Sequence, residues 1–283
     1  MRKWILPAVA SLALLGGCQP DGQAPESPAA NRGAPTTPQP AAIADTIHGT
    51  VNVGDAIPIS PGSKLDVQLV DVAQPEIVLA QQVFDVGATP PPFTFELSLD
   101  PSRVDASRTY VLNVVLTDGD RKFLSPLSTP VLTGGAGANP QIVLNPEPTP
   151  AEAMKTAFQK LQSQIGGMKK VDGTYTTDDA SVGWDAFAQN GTVRFARVNT
   201  EFDAGGSKAV KFAYLDGKPM ALVRQEGGAT SRVGWDAAGS VVLNEKTGGA
   251  TLTDEEIAAL RADAEAAFNR AQERVDASRK RRR

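Results

Sequence analysis

Between residues 45 and 145 the apolar and polar positions alternate in short runs. Leu65, Val67 and Leu69 share one face of a two-residue period, and Phe93, Phe95 and Leu97 do the same further on. The pattern predicts strands over Thr46 to Val53, Lys64 to Val72, Pro75 to Phe84, Phe93 to Leu99, Thr109 to Leu116, Lys122 to Leu124, Pro130 to Leu132 and Gln141 to Leu144. Turn signals separate them at Pro61-Gly62-Ser63, Asp85-Val86-Gly87 and Asp118-Gly119-Asp120. Seven or eight short strands in so short a stretch predict an antiparallel β-sandwich.

The period changes after the stiff linker Asn145-Pro146-Glu147-Pro148. Thr149-Pro150-Ala151-Glu152 combines a capping Thr, a Pro at the first helical position and a Glu placed to reach back to the cap. Met154, Phe158, Leu161, Ile165 and Met168 then recur at helical spacing, and Gly166-Gly167 ends the run. Strands follow at Val182 to Phe187, Val193 to Val198, Ala209 to Tyr214, Met220 to Arg224, Ser231 to Asp236 and Val241 to Asn244, with turns at Asn190-Gly191, Gly205-Gly206, Asp216-Gly217 and Gly227-Gly228. Thr253-Asp254-Glu255-Glu256 is a second capping box, opening a helix with Ile257, Leu260, Ala264, Phe268, Ala271 and Val275 on one face. The expected fold is therefore mainly β: a sandwich over 45–145, then an α+β domain over 149–283. In that domain an antiparallel meander of four to six strands is flanked by two helices.

Ahead of these parts, Arg2 and Lys3 precede an apolar stretch from Trp4 to Leu15. Its 12 residues are too few to cross a bilayer as a helix, which takes about 20, and fit the apolar region of a signal peptide. Leu15-Gly16-Gly17-Cys18 resembles the bacterial lipobox, so cleavage is expected between Gly17 and Cys18, with covalent lipid on Cys18. Residues 1–17 are then the lipoprotein signal, and 18–44 an anchored tether. That tether carries Pro20, Pro25, Pro28, Pro35, Pro38 and Pro40 and lacks the periodicity to bury a core. Three acyl chains hold essentially permanently, since each buried methylene contributes about 0.8 kcal/mol. Gln19 after the cysteine favours the outer membrane, with the protein facing the periplasm.

Composition narrows the chemistry. The 283 residues include one His and one Cys, so no internal disulfide and no Cys/His zinc site can form, and one histidine triad at most could be proposed. Removing Arg2 and Lys3 with the signal takes the formal net charge from −4 to −6. The final five residues, Arg279, Lys280, Arg281, Arg282 and Arg283, carry +5, which leaves the rest near −11. Such a tail suits anionic lipid, lipopolysaccharide or a wall polymer, or simply satisfies a helix end in water. Nucleic acid is not expected as a partner in this compartment.

The ordered features of the first part carry a family resemblance. They are Ile47-His48-Gly49-Thr50-Val51, Leu65-Asp66-Val67-Gln68-Leu69-Val70-Asp71-Val72, Pro92-Phe93-Thr94-Phe95-Glu96-Leu97, Asp100-Pro101-Ser102-Arg103-Val104-Asp105, Tyr110, Asp118-Gly119 and Pro130-Val131-Leu132-Thr133-Gly134-Gly135. Together with the lipobox they resemble the YbaY-type lipoproteins, whose domain is shared with YscW-type pilotins of type III secretion. The resemblance implies a β-sandwich lipoprotein. For YscW-type members it implies a pilotin that escorts a secretin, a multimeric envelope protein, to the outer membrane. No family is recognised for residues 149–283.

Other candidate chemistry has plainer readings. His48 lies in the first strand without a Ser or Asp arrangement that would define a triad. Asp118 and Asp120 read as a hairpin turn, because the further ligands of a calcium loop are absent. Asp178-Asp179 read as a strand-entry turn, and Glu255-Glu256 as a helix first turn favoured by the dipole. Gly134-Gly135-Ala136-Gly137 lacks the order of a dinucleotide loop. Trp184 and Trp235 sit in a partial repeat, Ser181 to Asp185 and Arg232 to Asp236, 51 positions apart. They fill a sheet core or form a stacking platform for a ligand. The expectation is a non-enzymatic outer-membrane lipoprotein that binds or escorts an envelope protein, with no catalytic residue, no metal and no cofactor beyond the lipid. The alternative is a cell-wall or glycan-binding lipoprotein acting through the second half and its tail.

Overall fold

A computed structural model describes residues 43–54 and 57–281. The signal segment, Gly17, Cys18 and the tether to residue 42 lie outside them, as do Arg282 and Arg283.

The first part contains β1 (Thr46–Val53), β2 (Lys64–Asp71), β3 (Gln74–Asp85), β4 (Phe93–Ser98), β5 (Tyr110–Asp118), β6 (Arg121–Leu124), β7 (Thr129–Val131) and β8 (Gln141–Pro146). Alternation decides which face goes inward. Ile47, Val51, Leu65, Val67, Leu69, Leu116, Phe123 and Leu144 are fully buried in one core, and Phe93, Phe95 and Leu97 of β4 join them. Each such side chain contributes about 1.5–3 kcal/mol on burial, more than any polar contact nearby. Tyr110 is also buried, and its hydroxyl accepts a 3.0 Å bond from the Asp105 backbone N–H, which satisfies the polar end of the ring.

The strands run β3-β2-β5-β6-β8-β1-β4, with β7 beside β5. Neighbours pair antiparallel except β1 and β8, which run parallel from Thr50–Gln141 to Val53–Leu144. The sheet thus wraps its own core and leaves β3 and β4 as its two ends. The hairpin turn at Asp118-Gly119-Asp120 forms as expected, with Gly119 at φ 56°, a conformation glycine adopts without strain.

In the second part, α1 (Pro150–Gln164) and α2 (Asp254–Lys280) flank one sheet. Both open with a complete capping box, on Thr149 with Glu152 and on Thr253 with Glu256. The strands are β9 (Lys169–Thr176), β10 (Ala180–Gln189), β11 (Thr192–Phe202), β12 (Ser207–Leu215), β13 (Lys218–Glu226), β14 (Ala229–Trp235) and β15 (Val241–Lys246). They form a seven-stranded antiparallel meander in sequence order, one strand more than the four to six expected. The additional strand is β9. It escapes the pattern because Val171 and Tyr175 are its only sizeable apolar residues, with Gly173 between them.

The helices lie on opposite faces. Phe158 and Leu161 of α1 meet Phe187, Phe195, Ala213 and Ala221. Ile257, Leu260, Ala264, Ala271 and Val275 of α2 meet Val210, Phe212, Tyr214, Leu222, Val233 and Trp235 on the other. Tyr214 donates a 2.8 Å hydrogen bond to the Ala264 carbonyl, and burial raises its phenol pKa well above the ordinary value.

The two parts have separate cores but are pinned at the linker. Arg121 of β6 reaches Glu152 of α1 at 2.6 Å, and the Glu147 N–H donates to the Lys122 carbonyl at 2.8 Å. The Arg121 guanidinium, with the Thr149 backbone N–H, lowers the Glu152 carboxyl to about 2.

Candidate functional site

An edge strand usually protects itself with charge, shortness or a cover. β3 is 12 residues long, and Ile77, Val78 and Val83 on it are 48%, 37% and 52% exposed. Its apolar side chains therefore remain available along a strand whose outer backbone edge has no partner strand among the described residues. Arg103, in the short turn after β4, donates a 3.1 Å hydrogen bond to the Leu79 carbonyl and clips one end of the β3–β4 seam. Toward the other end lies a cleft of about 530 Å³. Phe84 and Gln82 of β3 line it together with Thr94, Phe95 and Glu96 of β4, His48, Gly49 and Thr50 of β1, and the start of β8.

The local sequence explains this shape. Gly49 stands opposite Phe95 in the β1–β4 ladder, and a Cβ at residue 49 would collide with the Phe95 ring. Glycine is thus required where the aromatic ring crosses the strand. His48 and Glu96, also paired across the ladder, point out to the rim with Nδ1 and Oε2 4.0 Å apart. The β1 edge is held beside them by His48 N–H to the Ala138 carbonyl at 2.9 Å and Thr50 N–H to the Pro140 carbonyl at 3.0 Å. Gln82 carries a buried amide oxygen that meets no hydrogen-bond donor among the described residues. An unmet buried acceptor is costly, and a donor entering here would relieve it for a net gain of about 0.5–1.5 kcal/mol.

The cleft offers aromatic surface, amide groups and the His48 and Glu96 side chains at its rim, a chemistry suited to holding a polypeptide. Among the described residues no group of three or more His, Cys, Asp or Glu side chains comes together. The other acids sit in structural settings. Asp71 is held below the usual carboxylate range by the Ala73 N–H and by Arg108, at 2.6 Å. Glu255 is held low by backbone hydrogen bonding at the start of α2. Asp179 accepts from the Thr177 hydroxyl at 2.9 Å in its turn.

The two tryptophans are not brought together. Trp184 lies on β10 and Trp235 on β14, with β11, β12 and β13 between them. At about 4.8 Å per strand they stand roughly 19 Å apart. Trp235 is 3% exposed in the α2 core, under the Arg261 guanidinium at 5.6 Å. Trp184 is half-buried over Gly173, 2.9 Å from where a Cβ would be. The repeat also diverges: Asp185 pairs with Arg197 within the sheet, whereas Asp236 lies in a turn and accepts from the Ser240 N–H at 2.8 Å. Arg279 and Lys280 form the last turn of α2 and Arg281 caps it, all three exposed.

The cleft residues Gln82, Phe84, Glu96 and Asn139 carry no motif that marks them. Two signals point to the region: a glycine inside the first strand, and apolar side chains in β3 that break alternation.

Comparison with known proteins covers the same stretch. A family model described as the type III secretion system lipoprotein chaperone (YscW) matches residues 42–144. An Escherichia coli (strain K12) protein described as the uncharacterized lipoprotein YbaY is 30% identical over 145 residues, 50% of this chain and 75% of the relative. Among solved structures, an alternative pilotin from the type II secretion system of Vibrio cholerae overlaps 36% of this chain and 96% of its own, at 22% identity and a TM-score of 0.34. A 9R-lipoxygenase from Cyanothece overlaps 60% of this chain and 41% of its own, at 10% identity and a TM-score of 0.22. Scores at this level carry no functional weight. The relatives matched by sequence are lipoproteins, which suggests the cell envelope, and no helix among the described residues is long and apolar enough to cross a membrane. On its sequence match across three quarters of that relative, the chain belongs to the YbaY/YscW-type lipoprotein family.

Proposed function

We propose that this protein is a non-enzymatic lipoprotein, anchored through Cys18 to the outer membrane and facing the periplasm, which binds and escorts another envelope protein in the manner of a pilotin. The client enters at the β3–β4 seam. The observation that carries this reading is the seam itself: two unpaired strand edges beside an aromatic-floored cleft, with an unmet acceptor on Gln82. A client segment added along either edge would gain backbone hydrogen bonds from the strand and side-chain specificity from the cleft. A multimeric outer-membrane protein of the secretin kind suits the chaperone description of the matching family. The lipid then supplies the destination, because three acyl chains hold the complex at the membrane.

Mild crosslinking in cells, affinity purification and mass spectrometry, with Cys18→Ser as the control, tests this. The expected result is one multimeric outer-membrane protein recovered with the lipidated chain and mislocalised in the control. Recovery of only abundant lipoproteins and wall fragments would contradict it.

A further inference from the structure

A subset of the second part's cations lies together at the end of α2. Arg270 and Arg274 are one helical turn apart on α2, and Arg281 continues the same side seven residues on. The stripe extends about 16 Å along the helix. It runs beside the free edge strand β9. Arg270 stacks on Tyr175 at 4.1 Å, Lys169 of β9 bonds to Ser278, and Arg274 lines a cleft with Lys170, Gly173 and Trp184. Arg279 turns the other way, lying against the bare backbone of Gly191, and Lys280 beside it is exposed in the last turn.

The acids nearby do not neutralise this ridge. Glu273 and Asp276 are the carboxylates of this helix stretch, and Asp276 accepts from Gln272. Lys170 shares Asp172 at 3.9 Å and Asp185 at 3.7 Å, and Arg197 also binds Asp185. Among the described residues Arg270, Arg274, Arg279, Lys280 and Arg281 make no ion pair. Satisfying the helix dipole takes cations only in the last turn. Arg270 and Arg274 stand one to three turns earlier, and Lys169 and Lys170 belong to another element, so the dipole does not explain them. The half-buried rings of Tyr175 and Trp184 lie among these charges, the combination found where proteins meet the headgroup layer.

We propose that the end of α2 and the β9 edge form a docking surface for the phosphate headgroups of an anionic lipid bilayer, separate from the β3–β4 seam. The contact would orient the second part against a membrane surface, independently of what the seam holds.

The test uses the full chain held in vesicles of brominated phosphatidylcholine, with or without added phosphatidylglycerol. Trp184 is the reporter, because Trp235 is buried and Trp4 leaves with the signal segment in the chain lipidated on Cys18. Adding phosphatidylglycerol is expected to increase quenching, and raising salt to reverse it, since the screening length falls to about 3 Å at 1 M. The triple variant Arg279→Gln, Lys280→Gln, Arg281→Gln is expected to lower the docked-to-free ratio about a hundredfold, at about fivefold for each charge lost. Arg270→Gln with Arg274→Gln is expected to lower it about 25-fold by the same reasoning. Near-ultraviolet circular dichroism checks that each variant remains folded. Equal quenching in both vesicles, or in folded variants and the parent chain, would overturn the proposal. So would loss of quenching in inorganic phosphate at matched ionic strength, which would indicate a small-anion site.

Discussion

The two β-rich parts solve the same problem in opposite ways. The first curls one sheet around its own core and covers neither end, so β3 and β4 face each other across a seam. The second keeps its sheet open and buries each face under a helix. A partner approaching the second part therefore meets a charged rim and two outer strand edges, because the apolar faces are taken. A partner approaching the first meets strand edges and aromatic surface in one place. Apolar area decides this difference more than charge does: both parts carry surface ion pairs, and exposed pairs contribute about 0–1 kcal/mol each.

Substitutions can break or sharpen the contrast. The largest effect is expected at Trp235, where truncation to Ala leaves a cavity between α2 and the sheet and costs about 3–5 kcal/mol in denaturant unfolding. A cost below about 1 kcal/mol would place the ring on a surface. Two strand glycines give a paired comparison next. Gly49→Ala drives a Cβ into the Phe95 ring and should cost about 1–3 kcal/mol while distorting the cleft. Gly183→Ala meets nothing within 4 Å and should be neutral or stabilising by up to about 1 kcal/mol. Similar values for both would remove the special status of the seam. At the helix caps, Thr253→Ala should cost about 1 kcal/mol, since it frees the Glu256 N–H at the start of α2.

The smallest effect concerns the joint between the parts. Glu152 is lowered from 4.5 to about 2 in the folded chain, chiefly by Arg121. Its stabilising contribution is therefore present above pH 4.5 and lost as pH falls through about 2. Arg121→Gln should flatten stability against pH in that window, slightly lowering stability at neutral pH and leaving it nearly unchanged below about pH 2. An unchanged acid limb would show that the bridge is not formed in solution.

Much of the fold was legible because local patterns agree with the final packing. β4 alternates buried and exposed without exception, and both capping boxes form on the residues that carry the motif. β9 was missed because an edge strand needs little apolar surface, and its outward positions are Lys170, Asp172, Thr174 and Thr176. The cleft was missed for a different reason. It exists because β1 pairs with both β4 and β8, and strand order joins residues about a hundred positions apart with no local trace. Conversely, the Trp184 and Trp235 repeat suggested nearness that a meander of intervening strands does not provide. Similar pentapeptides landed mid-strand in one case and across a strand end in the other.

The central claim is that a client sits at the seam, and site-specific photo-crosslinking in cells tests it directly. A photoreactive residue would be placed in turn at Val83 and Thr94 beside the seam, and at Gln225 and Thr230 on the second sheet. One discrete protein adduct from Val83 and Thr94, absent from Gln225 and Thr230, is the result predicted. Adducts of that protein from Gln225 and Thr230 alone would contradict the account.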